Sequence, residues 1–423
     1  MKAQTLQNEL KFLFDCALRA ANPTLAIRNE LRSNPLPKLE RGRFILLAIG
    51  KAGCSMLEEA INHVPKGSKI EAICVTNYEN ARPLANCKIF PAGHPVPDGN
   101  GLKASNAIIK LLEKTDADDF ILALISGGGS ALLPAPVQGI SLQDKIEMNQ
   151  ILLSNGYNIK ETNLVRQQIS LLKGGGMAQL AYPTKIRSLI ISDVIGNDVQ
   201  VIASGPTASA IGSPRDAVDL IKRKGNWATT PKSIKEHLTK NCKKLPANDN
   251  YQNCHKVICS NQKSLFAIFE TASRFKTKIV NENLEGDVEE VAFIISNFII
   301  NNINKTSQAF IWGGETTVNL KGSGKGGRNQ ELALRVGYNL KNITGDWAFL
   351  SGGTDGRDGP TNAAGGLVNR QTYTKLSEIG IELSYFLNTN DSYNVLKLTN
   401  DLLFTGATGT NVADIQIFLR IPH

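Results

Sequence analysis

The sequence predicts an α/β protein of two domains with a mostly parallel β-sheet. Three observations lead to this prediction: apolar runs of strand length recur along the chain, each ends in glycine or small polar residues, and segments with helical periodicity lie between them. Runs that are apolar throughout indicate strands buried on both faces. Strands that alternate with helices are typical of βαβ units.

Five apolar runs are predicted to be strands. In chain order they are RFILLAIGKAG (43–53), DDFILALISGGGSALL (118–133), IRSLIISDVIGND (186–198), QAFIWGGETTV (308–318) and WAFLSGGTDGRDG (347–359). Their ends carry more Gly, Ser, Asp, Glu and Lys than turns alone require. Ligands of open α/β sheets lie beyond the carboxyl ends of the strands, so the site is expected at these ends.

Helical periodicity predicts helices at 102–114, 142–155, 161–172, 261–274, 287–301 and 329–340. Residues 225–255 are polar and lack a long apolar run, which indicates a domain boundary there. The predicted domains are therefore 1–240 and 255–423.

Composition narrows the class of protein. The 423 residues are 42% apolar and 20% charged, as in ordinary folded proteins. No apolar stretch approaches the roughly 18 residues of a membrane span, and the N-terminal segment lacks the apolar core of a signal peptide. Seven cysteines without a C-x-x-C pair suit a reducing compartment. A cytoplasmic protein is expected.

The net charge of +9 favours an anionic partner. Aromatic residues make up only 6%, and the motifs of nucleic-acid-binding domains are absent from the sequence. Small anions are therefore the expected partners, rather than nucleic acids or membranes.

The segment KGSGKGGRNQELAL (321–334) combines four glycines with three cations before a helical run, and two of these cations, Lys325 and Arg328, lie among or directly after the glycines. It does not fit the Walker A pattern, which needs Ser or Thr after Gly-Lys. It does fit G-x-G-x-x-G, with Asp346 about where a ribose-binding acid would stand, although this loop comes late in the chain and is cationic. Lys325 and Arg328 suit a phosphate or a carboxylate.

Two other strand ends are candidates for anion binding. Lys51 directly follows a strand and opens a helix, where a cation is unfavourable unless an anion is present. The run SGGGS offers consecutive backbone amides and two hydroxyls, as in an anion nest. Its residues are Ser126, Gly127, Gly128, Gly129 and Ser130.

Aspartates at strand ends could bind Mg²⁺ or accept a proton from a substrate hydroxyl. They are Asp193, Asp355 and Asp358. A serine-hydrolase triad is disfavoured because G-x-S-x-G is absent, and His94 is interpreted as a loop-packing residue. Phosphate cradles, cations and aspartates together are typical of phosphoryl transfer.

The motifs resemble those of the class II glycerate kinases, also called glycerate 2-kinases, whose C-terminal part is the MOFRL domain. The similarity covers nearly the whole chain in the family's order: GKAGCSM, GHPVPDGNG, LISGGGSALLPAP, ETNLVRQQISLLKGGGMA, SDVIGNDVQVIASGPT, GGETTVNLKGSGKGGRNQELAL, SGGTDGRDGPTNAAGG and TGATGTNVADI.

This resemblance implies ATP-dependent phosphorylation of D-glycerate at its 2-hydroxyl with Mg²⁺, giving 2-phosphoglycerate. It also implies a larger N-terminal Rossmann-like domain, a smaller C-terminal MOFRL α/β domain and an active site in the cleft. The residues that it assigns to catalysis or binding are Lys51, Arg328, Asp355 and Asn411, with Asp193 as a further acidic candidate.

The glycine-rich loop is expected to wrap an anion through Gly324, Lys325 and Gly327, and Glu331 is expected to hold Arg328 in place. Arg328 itself is expected to bind the glycerate carboxylate or a phosphoryl group. The metal ligands would be Asp193 and Asp355.

Three positions depart from the family pattern: Asn197 and Asn362 stand where an acid is frequent, and Gln168 where histidine is common. Two alternatives remain, a hydroxypyruvate reductase that uses NAD(P)H and a non-catalytic sensor of sugar acids. Whether the protein is a homo-oligomer stays open.

Overall fold

The computed structural model describes residues 3–241 and 253–423. The chain divides into two compact units. We call Pro23–Ile258 the N-unit; the C-unit combines Cys259–His423 with the segment that ends at Asn22.

The N-unit sheet has the strand order β3-β2-β1-β4-β5-β6. Its strands are β1 (Phe44–Ile49), β2 (Ile70–Asn77), β3 (Cys87–Ala92), β4 (Phe120–Ile125), β5 (Lys185–Ile191) and β6 (Asn253–Cys259). Every pairing from β3 to β5 is parallel. All six residues of β1 are buried, as expected for a strand covered on both faces. The predicted parallel α/β architecture is confirmed for this unit.

The helices of the N-unit belong to more than one core cluster. They are α2 (Pro23–Ser33), α3 (Gly53–Ile61), α4 (Gly99–Leu112), α5 (Gly129–Leu132), α6 (Leu142–Ser154), α7 (Ile159–Gln168), α8 (Gly176–Ala181), α9 (Pro214–Arg223) and α10 (Lys232–Asn241). One core cluster packs Ile45 and Leu47 of β1 against Ile108 of α4 and Met177 of α8. Capping boxes begin α6 and α7, at Ser141 and Asn158.

The C-unit sheet has the order β11-β10-β9-β12-β8-β7. Its strands are β7 (Lys276–Asp287), β8 (Gln308–Thr317), β9 (Asp346–Gly353), β10 (Gly365–Asn369), β11 (Leu402–Leu403) and β12 (Asp414–Ile421). The pair β7–β8 is parallel and the other pairs are antiparallel. This sheet is mixed because β10 returns beside β9 without a crossover helix, and β12 enters between β8 and β9 in the opposite direction.

The helices of the C-unit are α1 (Ala3–Ala20), α11 (Asn261–Thr271), α12 (Val288–Asn302), α13 (Arg328–Leu340), α14 (Arg370–Glu378), α15 (Leu383–Asn388) and α16 (Ser392–Thr399). The apolar face of α1 packs on this sheet: Leu13 and Phe14 share a cluster with Ile311, Leu350 and Ile417. The structure thus groups α1 with the second half of the chain, whereas the sequence division placed it in the first domain. Amphipathicity shows which face of a helix is buried, but not which sheet covers it.

The six predicted helices correspond to α4, α6, α7, α11, α12 and α13, with shifts of a few residues at their ends. The largest difference is at α7, which ends at Gln168 rather than at residue 172. The predicted boundary region at 225–255 includes α10, and its residues 242–252 lie outside the described part of the chain. Among the described helices, none combines the length and apolarity needed to cross a membrane.

Candidate functional site

The first candidate site lies in the N-unit, where three neighbouring parallel strands end side by side. The last residue of β1, Ile49, is in register with Ile125 of β4, and Ile125 is in register with Ile190 of β5. The residues that follow these strands therefore meet at one edge of the sheet. This places Lys51, the 126–130 turn and Asp193 together, and we call this group the N-cluster.

Backbone hydrogen bonds fix Lys51 against the glycine turn. The Lys51 amide donates to the Gly127 carbonyl at 2.9 Å, and the Ala52 amide donates to Ser126 Oγ at 3.1 Å. Gly50 has φ +123°, and a Cβ there would lie 2.2 Å from Ser126 Oγ, so only glycine fits. The Lys51 ammonium has no hydrogen bond or ion pair with any described residue, which leaves its charge available.

Asp193 and His94 lie against the glycines of the turn. A Cβ on Gly127 would be 2.1 Å from Asp193 Oδ2, which shows how closely the carboxylate approaches the backbone. A Cβ on Gly128 would lie 3.1 Å from His94 Cδ2 and 3.3 Å from Lys51 Cγ. His94 thus borders the N-cluster, and its interpretation as a loop-packing residue stays a prediction.

The charges of the N-cluster act on one another. Burial raises the pKa of Asp193, while its own backbone amide and the charge of Lys51 oppose this rise. Burial lowers the pKa of His94, and Lys51 lowers it further. His94 is therefore a neutral imidazole near pH 7, able to donate one hydrogen bond and accept another.

The turn provides unused donors. The backbone amides from Gly127 to Ser130 donate to no acceptor among the described residues. Ser130 Oγ lies 2.7 Å from Ser204 Oγ, and Ser204 donates to Asn163 Oδ1 at 2.7 Å, which fixes the serine. Free amides beside a lysine can bind an anion.

The second candidate site lies in the C-unit, at the edge where β8 and β9 end and β12 begins. Asp414 opens β12 and is in register with Gly314 and Gly353. This register brings Glu315, Asp355 and Asp414 to the same edge. We call these three residues, together with Arg328 and Asn411, the C-cluster.

Arg328 already holds two carboxylates. Its Nε and Nη2 donate to the two oxygens of Asp414 at 2.6 and 3.0 Å, and its Nη1 pairs with Glu315 at 2.6 Å. Burial by itself lowers the pKa of Arg328. The hydrogen bond and charge of Asp414 and the charge of Glu315 raise this pKa by more, so the net shift is upward. The guanidinium is permanently charged.

The expectation that Glu331 holds Arg328 is wrong. Glu331 pairs with Arg335 at 2.9 Å and accepts a hydrogen bond from Asn390 at 3.2 Å. Glu331 and Arg335 are four residues apart on α13 and face each other, as such pairs do. The partners of Arg328, Asp414 and Glu315, were missed because they are distant in sequence; their positions at strand ends were the available signal.

The glycines of the 321–327 loop allow close packing against the segment that joins α15 and α16. A Cβ on Gly324 would lie 2.5 Å from the Thr389 carbonyl oxygen. The amides of Gly324 and Lys325 donate to Thr389 O and Asp391 Oδ1, at 2.9 and 3.0 Å. The Lys325 ammonium lies 4.3 Å from the centre of the Tyr393 ring. This packing explains the glycines without a ligand, and anion binding by Gly324, Lys325 and Gly327 stays a prediction.

Asp358 occupies the amino end of α13. Its carboxylate accepts from the amides of Asn329 and Gln330 at 3.1 and 2.8 Å. Burial raises the pKa of Asp358 to about 7, although these two hydrogen bonds oppose the rise. The positive end of this helix is therefore satisfied by the protein itself.

Asp355 and Asn411 lie on two loops that are joined by hydrogen bonds. Thr354 Oγ1 donates to Ala413 O at 2.7 Å and accepts from the Val412 amide at 2.9 Å. Asp355 is exposed and accepts from the Arg357 amide at 3.0 Å. A Cβ on Gly353 would lie 3.3 Å from Asp355 Oδ1 and 3.4 Å from Asp414 Oδ1, so both carboxylates border Gly353.

Each cluster offers one or more carboxylates that suit Mg²⁺. Within the described ranges, no group of three or more His, Cys, Asp and Glu side chains is assembled as a metal centre. Mg²⁺ commonly takes one or two carboxylates, with phosphates and water completing its shell. Asp193, beside free amides, and Asp355, beside Asp414, both fit that arrangement.

The three departures from the family pattern have structural roles. Asn197 has φ +56°, a conformation that asparagine tolerates. Asn362 Oδ1 accepts from the Tyr393 hydroxyl at 2.8 Å, and Gln168 Nε2 donates to Gly212 O at 2.8 Å.

Comparisons with known proteins agree with this architecture. Residues 9–239 match a family model described as "Domain of unknown function (DUF4147)", and residues 308–414 match the MOFRL family. A D-glycerate 2-kinase of Thermotoga maritima is 37% identical over 416 residues, which span 96% of each chain. A crystal structure of glycerate kinase from the same organism aligns with a TM-score of 0.90 and 34% identity, covering 99% of this chain and 100% of that one.

The fold and its comparisons define a two-unit α/β protein of the kind that carries a MOFRL domain. The chain belongs to the glycerate 2-kinase family, so the resemblance found in its motifs is confirmed. A relative from Agrobacterium vitis, 35% identical over 419 residues and covering 97% of this chain and 93% of its own, bears a provisional hydroxypyruvate reductase name.

Proposed function

We propose that this protein transfers the γ-phosphoryl group of ATP to the 2-hydroxyl of D-glycerate, giving 2-phosphoglycerate and ADP. Membership of the glycerate 2-kinase family supports the reaction class. The geometry of the N-cluster supports the phosphoryl chemistry, because it joins a cation, free amides and a carboxylate at one strand edge.

One observation carries the proposal: the Asp193 carboxylate touches the backbone of a glycine turn whose amides are free. The free amides attract an anionic ligand, whereas the carboxylate repels it unless a cation or a proton lies between them. A phosphate that brings Mg²⁺ satisfies both, because its oxygens accept from the amides and its metal binds the carboxylate. Lys51, which lies against Gly128, adds the positive charge that the phosphate needs.

Each residue of the N-cluster then has a role. The amides from Gly127 to Ser130 bind phosphate oxygens, and Lys51 neutralises charge that develops during transfer. Asp193 would hold Mg²⁺, which would supply charge neutralisation and orientation of the phosphates. Ser126 fixes the amide of Ala52 and so sets the position of Lys51.

The C-cluster contributes a fixed positive charge. Because Arg328 is held by Asp414 through two hydrogen bonds, its guanidinium is pre-organised and cannot turn toward a ligand without breaking them. We assign Arg328 to charge stabilisation rather than to primary capture of a carboxylate. Asp355 and Asn411, which lie on two loops joined by hydrogen bonds, would bind metal or substrate. An active site in the cleft remains a prediction.

Hydride transfer is the second candidate because of the name of the Agrobacterium vitis relative. It would need the G-x-G-x-x-G loop to bind a dinucleotide, with Asp346 as its ribose-binding acid. Asp346 is the first residue of β9, so it lies at the end of that strand opposite Gly353 and the C-cluster. This placement disfavours the dinucleotide interpretation.

The decisive experiment is NMR of the products after incubation with ATP, Mg²⁺ and D-glycerate. We expect 2-phosphoglycerate and ADP in equal amounts, distinguished from 3-phosphoglycerate by the ³¹P–¹H coupling. A parallel sample with hydroxypyruvate and NADH or NADPH, followed by absorbance, tests the reductase. Oxidation of NADH or NADPH in the hydroxypyruvate sample, with no phosphoglycerate in the kinase sample, would overturn the proposal. Inactivity in both samples would favour a non-catalytic sensor. A cytoplasmic location is also proposed.

A further inference from the structure

A cavity of about 190 Å³ opens beside the glycine turn of the N-unit. Gly128, Ser130 and His94 form one side of it, and residues of α6 and α7 form much of the rest. Apolar side chains, including Met148 and Leu152, line part of its wall. The N-cluster thus borders this cavity.

Three cations line this cavity: Lys145 from α6, Arg166 from α7 and Lys173 from the segment after α7. Lys145 and Lys173 are only 8% and 5% exposed. Both lysines were overlooked in the sequence, where they look like ordinary charged residues. Arg166 and Lys173 lie within the motif ETNLVRQQISLLKGGGMA.

The partners of these cations are neutral oxygens. Lys145 Nζ donates to Ile169 O at 2.9 Å, and Lys173 Nζ donates to Leu133 O at 2.5 Å. Arg166 Nε donates to the side-chain oxygen of Asn149 at 2.9 Å. Within the described ranges, no carboxylate forms an ion pair with any of the three.

Three unpaired cations at one cavity are costly without an anion. Buried charges are ordinarily paired, because desolvation favours their neutral forms. Burial, and then the charges of Lys173 and Arg166, lower the pKa of Lys145 well below its usual range; burial, and then Arg166, lower that of Lys173 to about 7. Burial alone lowers the pKa of Arg166 to about 10. A bound anion would relieve both the desolvation and the repulsion.

We propose that this cavity binds the acceptor of the kinase reaction, with the carboxylate of the small 2-hydroxy acid held by Lys145, Arg166 and Lys173. This inference rests on the proposed function and names the part of the protein that recognises glycerate. The hydroxyl end of the acid would lie toward Gly128 and His94, beside the phosphate-binding turn.

The chemistry of the cavity favours a small acid. The cavity has room for several water molecules, and hence for a three-carbon acid. Its apolar wall suits a short carbon chain. Arg328, the other cation considered for the carboxylate, already has Asp414 and Glu315 in that position.

The test compares Arg166→Met and Lys145→Met with a matched control, Arg223→Met, whose arginine is exposed on α9. We expect the KM for D-glycerate to rise about 100-fold in the two cavity variants, as for loss of one charged hydrogen-bonding partner, and the KM for ATP to change less than about threefold. Arg223→Met should keep wild-type values. Calorimetric titration of D-glycerate into nucleotide-free protein should show the same loss of affinity.

A neutral analogue separates carboxylate recognition from a structural effect. Wild-type protein should prefer D-glycerate strongly over its amide, and Arg166→Met should reduce that preference, since the site then has less charge to match. An unchanged preference in folded variants, or equal rises in the KM values of ATP and glycerate, would overturn the inference. Absence of glycerate phosphorylation by wild-type protein would instead refute the proposed function, while glycerate binding by calorimetry would still report on the cavity.

Discussion

Replacement of Lys173 by methionine should make the protein more stable at pH 7, although it removes a residue that we assign to acceptor binding. Lys173 is buried among other cations, and its ammonium has a single carbonyl as its partner in the described structure. Methionine has a similar length and no charge, so it should fill the same space.

The magnitude follows from the pKa of Lys173. A lysine in the unfolded chain keeps its proton up to its ordinary pKa of 10.5, whereas folded Lys173 releases it near pH 7. Between these values the unfolded chain binds more protons than the folded protein, so stability rises with pH in this window. This difference in the pKa of Lys173 between the unfolded and folded states destabilises the folded protein by at most roughly 5 kcal/mol at pH 7 and below. The destabilisation shrinks by about 1.4 kcal/mol for each pH unit above 7.

The Lys173→Met variant also loses a hydrogen bond. The Leu133 carbonyl would be left without its donor, which costs about 1–3 kcal/mol. The net gain at pH 7 is therefore at most about 2–4 kcal/mol, or roughly 4–16 °C in the unfolding midpoint of a unit of this size. At pH 9.5 the remaining cost of burying Lys173 is only about 1 kcal/mol, so the gain should vanish or reverse.

Differential scanning calorimetry of wild-type protein and Lys173→Met at pH 7 and pH 9.5 measures this effect. The control is Lys66→Met, at an exposed lysine in a turn, which should change the free energy of unfolding by less than about 0.5 kcal/mol. If Lys173→Met lowers the midpoint at pH 7, or raises it equally at both pH values, Lys173 does not carry the electrostatic cost inferred here.

The remaining predictions concern activity. Lys51→Met should lower kcat by about 100-fold, as for loss of one pre-organised charge donor, and near-normal turnover in steady-state assays would refute its role. Asp193→Asn and Asp355→Asn should each reduce turnover strongly with unchanged circular dichroism; a variant whose activity matches wild type at every Mg²⁺ concentration would remove that residue from metal binding and from proton transfer. Arg328→Lys should lower kcat with little change in the KM for glycerate, whereas a large rise in that KM alone would restore the carboxylate role. The KM for glycerate should increase as the pH rises above 7, because Lys173 loses its proton, and a pH-independent KM from 6 to 9 would argue against a charged Lys173 in the acceptor site.

Local patterns predicted much of the fold because the information lies within short segments. The apolar run of β1 and the capping residues of α6 are visible in a window of a few residues. The mixed sheet of the C-unit was harder, because the position of β12 between β8 and β9 depends on pairing across about 100 residues.

The residues of the candidate sites were likewise predictable only where the information is local in sequence. Lys51 and the 126–130 turn are recognisable because their residue types are unusual at strand ends. The partner of Arg328 was predicted to be Glu331, three residues along the helix, yet Asp414 lies 86 residues away. Lys145 and Lys173 resemble solvent-exposed lysines in the sequence, and only packing reveals that they are buried beside Arg166.

The assignment of α1 to the C-unit has a consequence for synthesis on the ribosome. The apolar face of α1, with Leu13 and Phe14, emerges early, but its neighbours on β12, such as Ile417, are made about 400 residues later. At about 5–20 residues per second, this surface waits for roughly 20–80 s, while the whole N-unit is synthesised and can fold. The helix is therefore exposed to chaperones and to other nascent chains while these residues are made, and the C-unit can complete its sheet only after the N-unit has been synthesised.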